Sequence, residues 1–599
     1  PALYPGTIPQ HFASVVSAHG DRPAVIARSP ASAALSVSGA ETSLTYHGLD
    51  VLSNRLASSL ASLGVRKGDR VAVSLGNTPD FAALTYALFK LGAVLVPLNP
   101  GFNQRQVAAA LRHLAVEVLV IAAVTDLAYR PARGRSNRHL LESIVGDLGA
   151  GGGHAVRSEE VPSLRSVVVV DNRSGHPGVD FDLEACRALT PFAALLDGSD
   201  GAVVPDEPLD PDDTVNIQFT SGTTSTPKAA MLSHRSILNN GAMIGHRMGL
   251  AAEDRIVVPP PLFHCFGSVL GYMATATTGA AILFPSPAFD PAATLRMCVD
   301  HDATGLYGVS TMLVAVLEAL DAGDVVDAPP RSLTKGIVAG SSVPESLMRT
   351  LYARLGLADV VICYGMTETS PVSCMTAPSD PPATRTSTVG APMPHTGVKI
   401  VDPRDRARVL PLGSRGELAA AGYLVMKGYY GDAARTAEVR VPDAADGTVW
   451  MYSGDEAEMD EAGYVRITGR IKDLIIRGGE NIHPLEVEDC LMTHAGVREA
   501  SVVGVPDERL GEAVAAFVIP ARGWKTSDGG EEHAAADEQR TLTPEAVRSW
   551  VATRLSKHLA PKYVFWTDEY PKTASGKIQK FKLRDTAREA LGIEEKEKE

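Results

Sequence analysis

Leucines recur at three- and four-residue steps from Leu49 through Leu52, Leu56 and Leu60 to Leu63. That spacing lines one face of an α-helix, and Gly64 closes the run. Gly68-Asp69 then turns the chain into the apolar strand RVAVSL, followed by a helix from Phe81 to Leu91 and a second apolar strand at 92–97. Strand, helix and strand with short punctuation predict a βαβ unit and a parallel sheet. Upstream, SAHGDRPAVIA reads as a helix end at Gly20 and then a strand; downstream, 166–171 (SVVVVD) reads as a buried strand. Two segments, 305–312 (GLYGVSTM) and 336–344 (GIVAGSSVP), read as strands running into turns, and a further strand covers Val360–Tyr364. Nearer the C-terminus, strands are expected at 464–468, 474–476, 500–505 and 513–519, with helices starting at Pro484 and spanning 544–555. Two stretches lack a period. Residues 130–163, with GDLGAGGGHAVRSEEVPS, read as a surface insertion, and 521–540 as a polar insertion of low complexity.

Composition narrows the classes. With 45% hydrophobic and 21% charged residues the chain is an ordinary globular one. Seventy acidic against 56 basic residues leave a net charge of −14, which disfavours a nucleic-acid partner. A local Lys/Arg cluster can still hold an anionic substrate. No apolar run approaches the ~20 residues of a membrane span. The N-terminal PALYPGTIPQHF lacks a secretory signal, and the final EEKEKE carries no S-K-L address. Six cysteines without a CxxC are expected to be reduced, mostly buried thiols. The expected location is cytoplasmic, with an organelle left open.

The chemistry centres on FTSGTTSTPKAAMLSH, residues 219–234. Thr220, Ser221, Thr223, Thr224 and Ser225 crowd around Gly222, and Thr226-Pro227 leads to Lys228. Glycine lets successive N–H groups converge on one anion, hydroxyls donate to phosphate oxygens, and lysine adds a point charge. A Walker loop is excluded, because no glycine precedes Lys228 and Ala229 follows it. The stretch 258–272 (VPPPLFHCFGSVLGY) reads as a bend lining a cavity, in which His264 is either a satisfied core histidine or a pocket residue. It contains no Asp or Glu, so a buried substrate ammonium would have no partner there.

The phosphate loop, YGMTETSP at 364–371, Ser453-Gly454-Asp455, GRIKDLIIRGGEN at 469–481 and PKTASGKIQKFKLR at 571–584 occur in the order found in the adenylate-forming superfamily. The chain resembles that superfamily of acyl-CoA synthetases, adenylation domains and luciferases from about Thr45 to Arg584, and most of all its medium-chain acyl-CoA synthetases. Ser225, Ala229, Ala421, Ser453 and Lys580 depart from the family pattern. The resemblance implies an α/β fold: a large N-terminal domain of parallel sheets layered with helices, a small barrel-like subdomain, and a smaller α+β C-terminal domain. It implies a boundary between 1–471 and 472–599, with Lys472 as hinge.

By the same resemblance, ATP is held by residues 220–226, Lys228, Tyr364 on adenine, Gly365, Thr367, and Asp455 with Arg470 at the ribose. Glu368, with Thr223, is expected to hold Mg²⁺, and Lys577 to be the catalytic lysine. The acyl and CoA pocket is expected to involve His264, Gly267, Tyr307, Gly308, Gly340, Ser341, Met366, Arg477, Gly478, Gly479 and Glu480. The implied reaction consumes ATP, a small-molecule carboxylic acid and CoA to give an acyl-adenylate and then a thioester. Two alternatives are a ligase that loads a carrier-protein pantetheine and a non-catalytic adenylate-binding scaffold.

Overall fold

The computed structural model describes residues 1–37, 39–150, 156–220, 228–323, 325, 329–339, 343, 345–527, 540–573 and 577–593. These form two compact units, one of residues 1–398 with 420–451, the other of residues 399–419 with 452–599. The expected boundary at 471/472 concerns which part of the chain turns.

The larger unit is built on two sheets. In one, the strands Asp359–Gly365, Lys335–Val338, Gly305–Gly308, Arg255–Val257, Ala281–Phe284 and Pro23–Arg28 lie side by side and parallel. In the other, Thr214–Thr220, Val94–Pro97, Arg70–Ser74, Val118–Ala122 and Ser166–Val170 do the same. Both faces of such sheets must be covered, so the strands read as unbroken apolar runs rather than alternating ones. The helix Pro79–Leu91 packs into the largest core cluster with residues of both sheets, and every residue from Phe81 to Leu91 is buried. A helix apolar on all sides is stable only in such a position. Thr78 caps it through the Phe81 N–H, and Gly92, at φ 70°, ends it. Within the buried stretch the one ionisable amine, Lys90, is engaged by Asp50 Oδ1 (2.7 Å), Asn54 Oδ1 (2.7 Å) and Ser53 Oγ (2.8 Å). The leucine-rich helix runs Tyr46–Ser62 as its period predicts.

The smaller unit centres on the long antiparallel hairpin Val497–Asp507 and Gly511–Pro520. Val514, Ala516 and Val518 face the helices Pro484–Met492 and Pro544–Arg554, whereas Ala513, Ala515 and Phe517 face the helix Lys580–Leu591. The period of two is complete, but both faces are covered.

Residues 130–163 correct the expectation of a surface insertion. Arg138–Val145 is a helix whose Leu140, Leu141 and Ile144 are buried, and Val156, Val161 and Leu164 complete the same core. Two turns of helix are too short to show a period between glycine-rich segments. GLYGVSTM also differs, since after Gly308 the chain enters a helix, Ser310–Ala322. All six cysteines are buried and none forms a disulfide. Among the described residues no helix is long and apolar enough to cross a membrane.

His234, first residue of the helix His234–Arg247, is wholly buried and its Nδ1 accepts the Ile8 N–H. Burial lowers its pKa from 6.5 to about 4. The unfolded chain therefore takes up a proton that the folded one refuses. The stability this gives is complete above pH 6.5 and is lost as pH falls toward 4, in total about 3 kcal/mol. His234→Gln should show a smaller drop in urea-unfolding free energy between pH 7 and pH 5 than the parent protein; identical drops would exclude the assignment.

Candidate active site

The strands Thr214–Thr220 and Lys228–Ser233 are antiparallel partners, with Phe219 opposite Ala229 and Thr220 opposite Lys228. Thr220 and Lys228 thus stand together at one end of a hairpin. Ser221, Gly222, Thr223, Thr224, Ser225 and Thr226 lie outside the described residues. Ala229 and Ala230 are buried, which is why apolar residues resume directly after the lysine.

Four parallel strands end side by side at Val257, Gly308, Val338 and Gly365, the edge at which open α/β sheets bind ligands. Gly340 and Ser341, beyond the third strand, lie outside the described residues. The fourth carries Tyr364, half-buried, into the turn Thr367–Thr369. A Cβ on Gly365 would lie 1.8 Å from the Pro371 carbonyl oxygen, so only glycine fits. That turn is held from several sides. Met366 N–H donates to the Pro371 carbonyl at 3.0 Å, and Ser370 Oγ donates to the Leu424 carbonyl at 2.7 Å. Asn240, fully buried, accepts from Val372 N–H and donates to its carbonyl.

Glu368 is 6% exposed. Its Oε1 accepts the Tyr429 hydroxyl at 2.7 Å, and its backbone carbonyl accepts Met426 N–H at 2.9 Å. Among the described residues its Oε2 makes no hydrogen bond, which leaves that oxygen for a hard cation. Lys228 Nζ lies 5.2 Å from the centre of the Tyr429 ring. Burial, then the Glu368 charge, push the Tyr429 hydroxyl well above its usual pKa, so it remains a donor at neutral pH.

The triple-proline bend is fastened by Asn77. Its Nδ2 donates to the Pro260 carbonyl at 3.0 Å and, more weakly, to those of Val258 and Pro259; its Oδ1 accepts Leu262 N–H at 2.8 Å. After the bend the chain winds as a π-helix over Phe266–Met273, a conformation found mostly at functional sites. Gly267 permits this, because a Cβ there would lie 2.2 Å from the Pro261 carbonyl oxygen. His264 is half-buried and its Nδ1 accepts the Phe266 N–H at 3.2 Å. Cys265 Sγ lies 3.8 Å from Thr367 Oγ1, and Gln218 donates to Ser268 Oγ at 3.2 Å. The wall, the Glu368 turn and the strand leading to the phosphate loop are therefore neighbours. Tyr307, in contrast, is wholly buried core, and its hydroxyl finds no partner among the described residues.

A separate open cavity of about 370 Å³ lies beyond the strand ends Arg28 and Phe284, lined among others by Arg28, Glu41, Asp126, Arg130, Arg133 and Arg296. It contains none of the candidate residues.

The remaining candidates belong to the smaller unit. Asp455 and Arg470 are cross-strand partners and ion-paired at 3.1 Å. Lys472 sits in a short helical turn, Ile471–Asp473, and Asp473 pairs with Arg584. Arg477 and Glu480 face each other across Gly478-Gly479. Both glycines have positive φ, 61° and 86°, the backbone of a tight two-residue hairpin turn that favours glycine. Lys577 is exposed, its N–H donating to Thr573 Oγ1 at 3.1 Å and its carbonyl accepting Thr573 N–H at 2.8 Å. Lys580 reaches Glu488 at 2.6 Å.

Three residues escaped the sequence reading: Asn77, Asn240 and Tyr429. A single amide in a helix or ahead of a Thr-Pro turn carries no motif, and its partners lie 132 and up to 185 residues away. Tyr429 lies in KGYY, residues 427–430, and only pairing in space shows which carboxylate it meets.

The AMP-binding enzyme model matches residues 12–430, and the AMP-binding enzyme C-terminal domain model matches 486–577. Acyl-CoA ligase SID4 of Ajellomyces capsulatus is 38% identical over 92% of this chain and 87% of its own length. The mitochondrial medium-chain acyl-CoA ligase ACSF2 of Danio rerio is 35% identical over 90% of this chain and 83% of its own. Among solved structures, ATP-bound MatB from Rhodopseudomonas palustris aligns with a TM-score of 0.75 at 25% identity, covering 97% of this chain and 99% of its own. The anthranilate CoA ligase AuaEII shares the fold with a TM-score of 0.77 at 21% identity, covering 99% of both chains. The chain belongs to the AMP-binding enzyme family.

Asn77→Ala would leave Leu262 N–H and the proline-segment carbonyls without partners. A buried unsatisfied group costs about 1–3 kcal/mol, so the variant should unfold at lower urea concentration and show a raised KM for the carboxylic acid, with KM for ATP little changed. An unchanged unfolding midpoint would show that the bend does not depend on this clamp.

Proposed function

We propose that this AMP-forming acyl-CoA ligase acts on unsubstituted fatty acids of moderate length. The observation that carries the reading is the wall from Val258 to Tyr272, which has no carboxylate and in which Leu262, Phe266, Val269 and Leu270 are buried and Phe263 and His264 half-buried. Its proximity to Thr367 through Cys265 supports a place for the acyl chain beside the nucleotide. The medium-chain ligase ACSF2, alike over most of the chain, favours the same substrate class.

The chemistry follows from the difficulty of acylating with a carboxylate, whose leaving group would be oxide. Attack of the acid on the ATP α-phosphate forms the acyl-adenylate and releases pyrophosphate. Charge gathers on phosphate oxygens, so fixed cations and donors are the effective catalysts. In this reading the loop at 220–226 and Lys228 bind the β- and γ-phosphates, Tyr364 and Gly365 line the adenine site, and Thr367 reaches phosphate. Asp455 with Arg470 holds the ribose, and Lys577 bridges carboxylate and α-phosphate. Among the described residues no three His, Cys, Asp or Glu side chains gather as a metal cluster. A single carboxylate oxygen, Glu368 Oε2, fits Mg²⁺, which usually takes one or two carboxylates and completes its shell with phosphates and water; when bound it would neutralise triphosphate charge. Thr223 is its second proposed ligand.

Residues 472–599 then turn about Lys472, withdrawing Lys577 and bringing Arg477–Glu480 to the CoA thiol, whose sulfur attacks the acyl carbon as AMP leaves. His264, Gly267, Gly308, Met366, Gly340 and Ser341 are the proposed acyl and pantetheine contacts; the buried Tyr307 would act only as backing.

Lys577→Ala should lose acid-dependent ATP–pyrophosphate exchange by at least about a hundredfold while still converting pre-made acyl-adenylate and CoA to thioester. Near-normal exchange would remove Lys577 from the mechanism.

A ladder of fatty acids beside the matching α-amino acids and benzoate, read by AMP release, tests the substrate. Each buried CH₂ contributes about 0.8 kcal/mol, so kcat/KM should climb with chain length until the pocket ends. Preference for an amino acid would overturn the wall; preference for benzoate would overturn only the fatty-acid assignment. Replacing CoA by a carrier-protein pantetheine in the same assay decides the acceptor, with free CoA the expected one.

A further inference from the structure

Tyr429 touches both charged ends of the proposed triphosphate site. It lies on the two-residue strand Gly428–Tyr429, paired antiparallel with Lys228–Ser233, Tyr429 opposite Ala230 and Gly428 opposite Met231. Hydrogen bonds from Lys427 N–H to the Met231 carbonyl and from Tyr430 N–H to the Ala229 carbonyl fix its register. The Tyr429 N–H is itself taken by Thr436 Oγ1 at 2.9 Å. The side chain is 4% exposed and cannot swing away. From this fixed position its ring lies under Lys228 Nζ and its hydroxyl donates to Glu368 Oε1.

The chemical consequence is a separation of charges. A lysine and a buried carboxylate free to meet would pair, and each would be neutralised before substrate arrived. An aromatic face attracts the ammonium without neutralising it. A phenol donates one hydrogen bond to the carboxylate, holding one oxygen and leaving the other. Among the described residues Lys228 Nζ makes no hydrogen bond or ion pair, and Glu368 Oε2 makes none either. Both full charges are thus kept for ligands of opposite sign.

We propose that Tyr429 is a positioning residue of the adenylation half-reaction: it holds the Glu368 carboxylate for the divalent cation and seats Lys228 for the triphosphate. The proposal rests on the reading of Glu368 as the cation-holding carboxylate. Two substitutions separate the two contacts. Tyr429→Phe keeps the ring beneath Lys228 and removes the hydroxyl; Tyr429→Leu removes both.

Binding of a non-hydrolysable ATP analogue is measured by calorimetry across a Mg²⁺ series and in EDTA. Tyr429→Phe should raise the Mg²⁺ concentration for half-maximal analogue affinity by about tenfold, the worth of one hydrogen bond to a charge, and leave affinity in EDTA unchanged. Tyr429→Leu should also weaken affinity in EDTA several-fold. Thioester formation from pre-made acyl-adenylate should stay within about twofold in Tyr429→Phe, since the adenylate no longer carries the β- and γ-phosphates. A merely structural tyrosine would depress both half-reactions together and leave the Mg²⁺ midpoint in place, and that result overturns the proposal. Glu368→Gln, run alongside, locates a failure. If it shifts the midpoint and Tyr429→Phe does not, the positioning role is wrong. If neither shifts it, the assignment of Glu368 falls and the role of Tyr429 with it.

Discussion

The site depends on a seam of backbone pairing in which Gly428–Tyr429 docks against Lys228–Ser233. A strand of two residues has little stability of its own. It holds because both flanks are tied, Lys427 and Tyr430 donating to the neighbouring strand and Met426 to the carbonyl of Glu368. Through this seam the end of the phosphate-loop hairpin and the Glu368 turn are hydrogen-bonded to the same short strand, although they come from different sheets. Moving the Gly428–Tyr429 strand by one residue would turn Tyr429 to the opposite face and remove both contacts.

The same economy appears elsewhere around the site. Buried amides do the work that larger structural elements do in other regions. Asn77 gathers three carbonyls and an N–H of the triple-proline bend, where prolines supply no donors of their own. Asn240 completes the start of the strand after the Glu368 turn. Each satisfies backbone groups that irregular chain would otherwise bury unpaired, at a cost of about 1–3 kcal/mol for each group. Glycines do the complementary work of allowing contact, Gly365 against Pro371 and Gly267 against Pro261.

Much of this was legible in advance. Helices and strands with a clear period, such as Tyr46–Ser62 and the hairpin around 497–520, fall where the pattern of apolar residues puts them. Asp455 and Arg470, which the resemblance implies act together, are cross-strand partners joined by an ion pair. The misses share a cause. Arg138–Val145 is too short to show a period and is buried only because Val156, Val161 and Leu164 close over it. The π-helix at Phe266–Met273 is a winding that no side-chain pattern encodes; it follows from close packing against the prolines.

The sequence by itself determined the class of fold, the motif order and the residue types available for phosphate, ribose and acyl group, because those depend on local periodicity and on side-chain chemistry at short spacing. Only the tertiary structure decided which of these residues meet. Lys228, Glu368 and Tyr429 are spread over some two hundred positions, and their association depends on strand register and sheet order. Those are properties of the packed chain, fixed by the joint burial of its apolar faces, and no local stretch contains them.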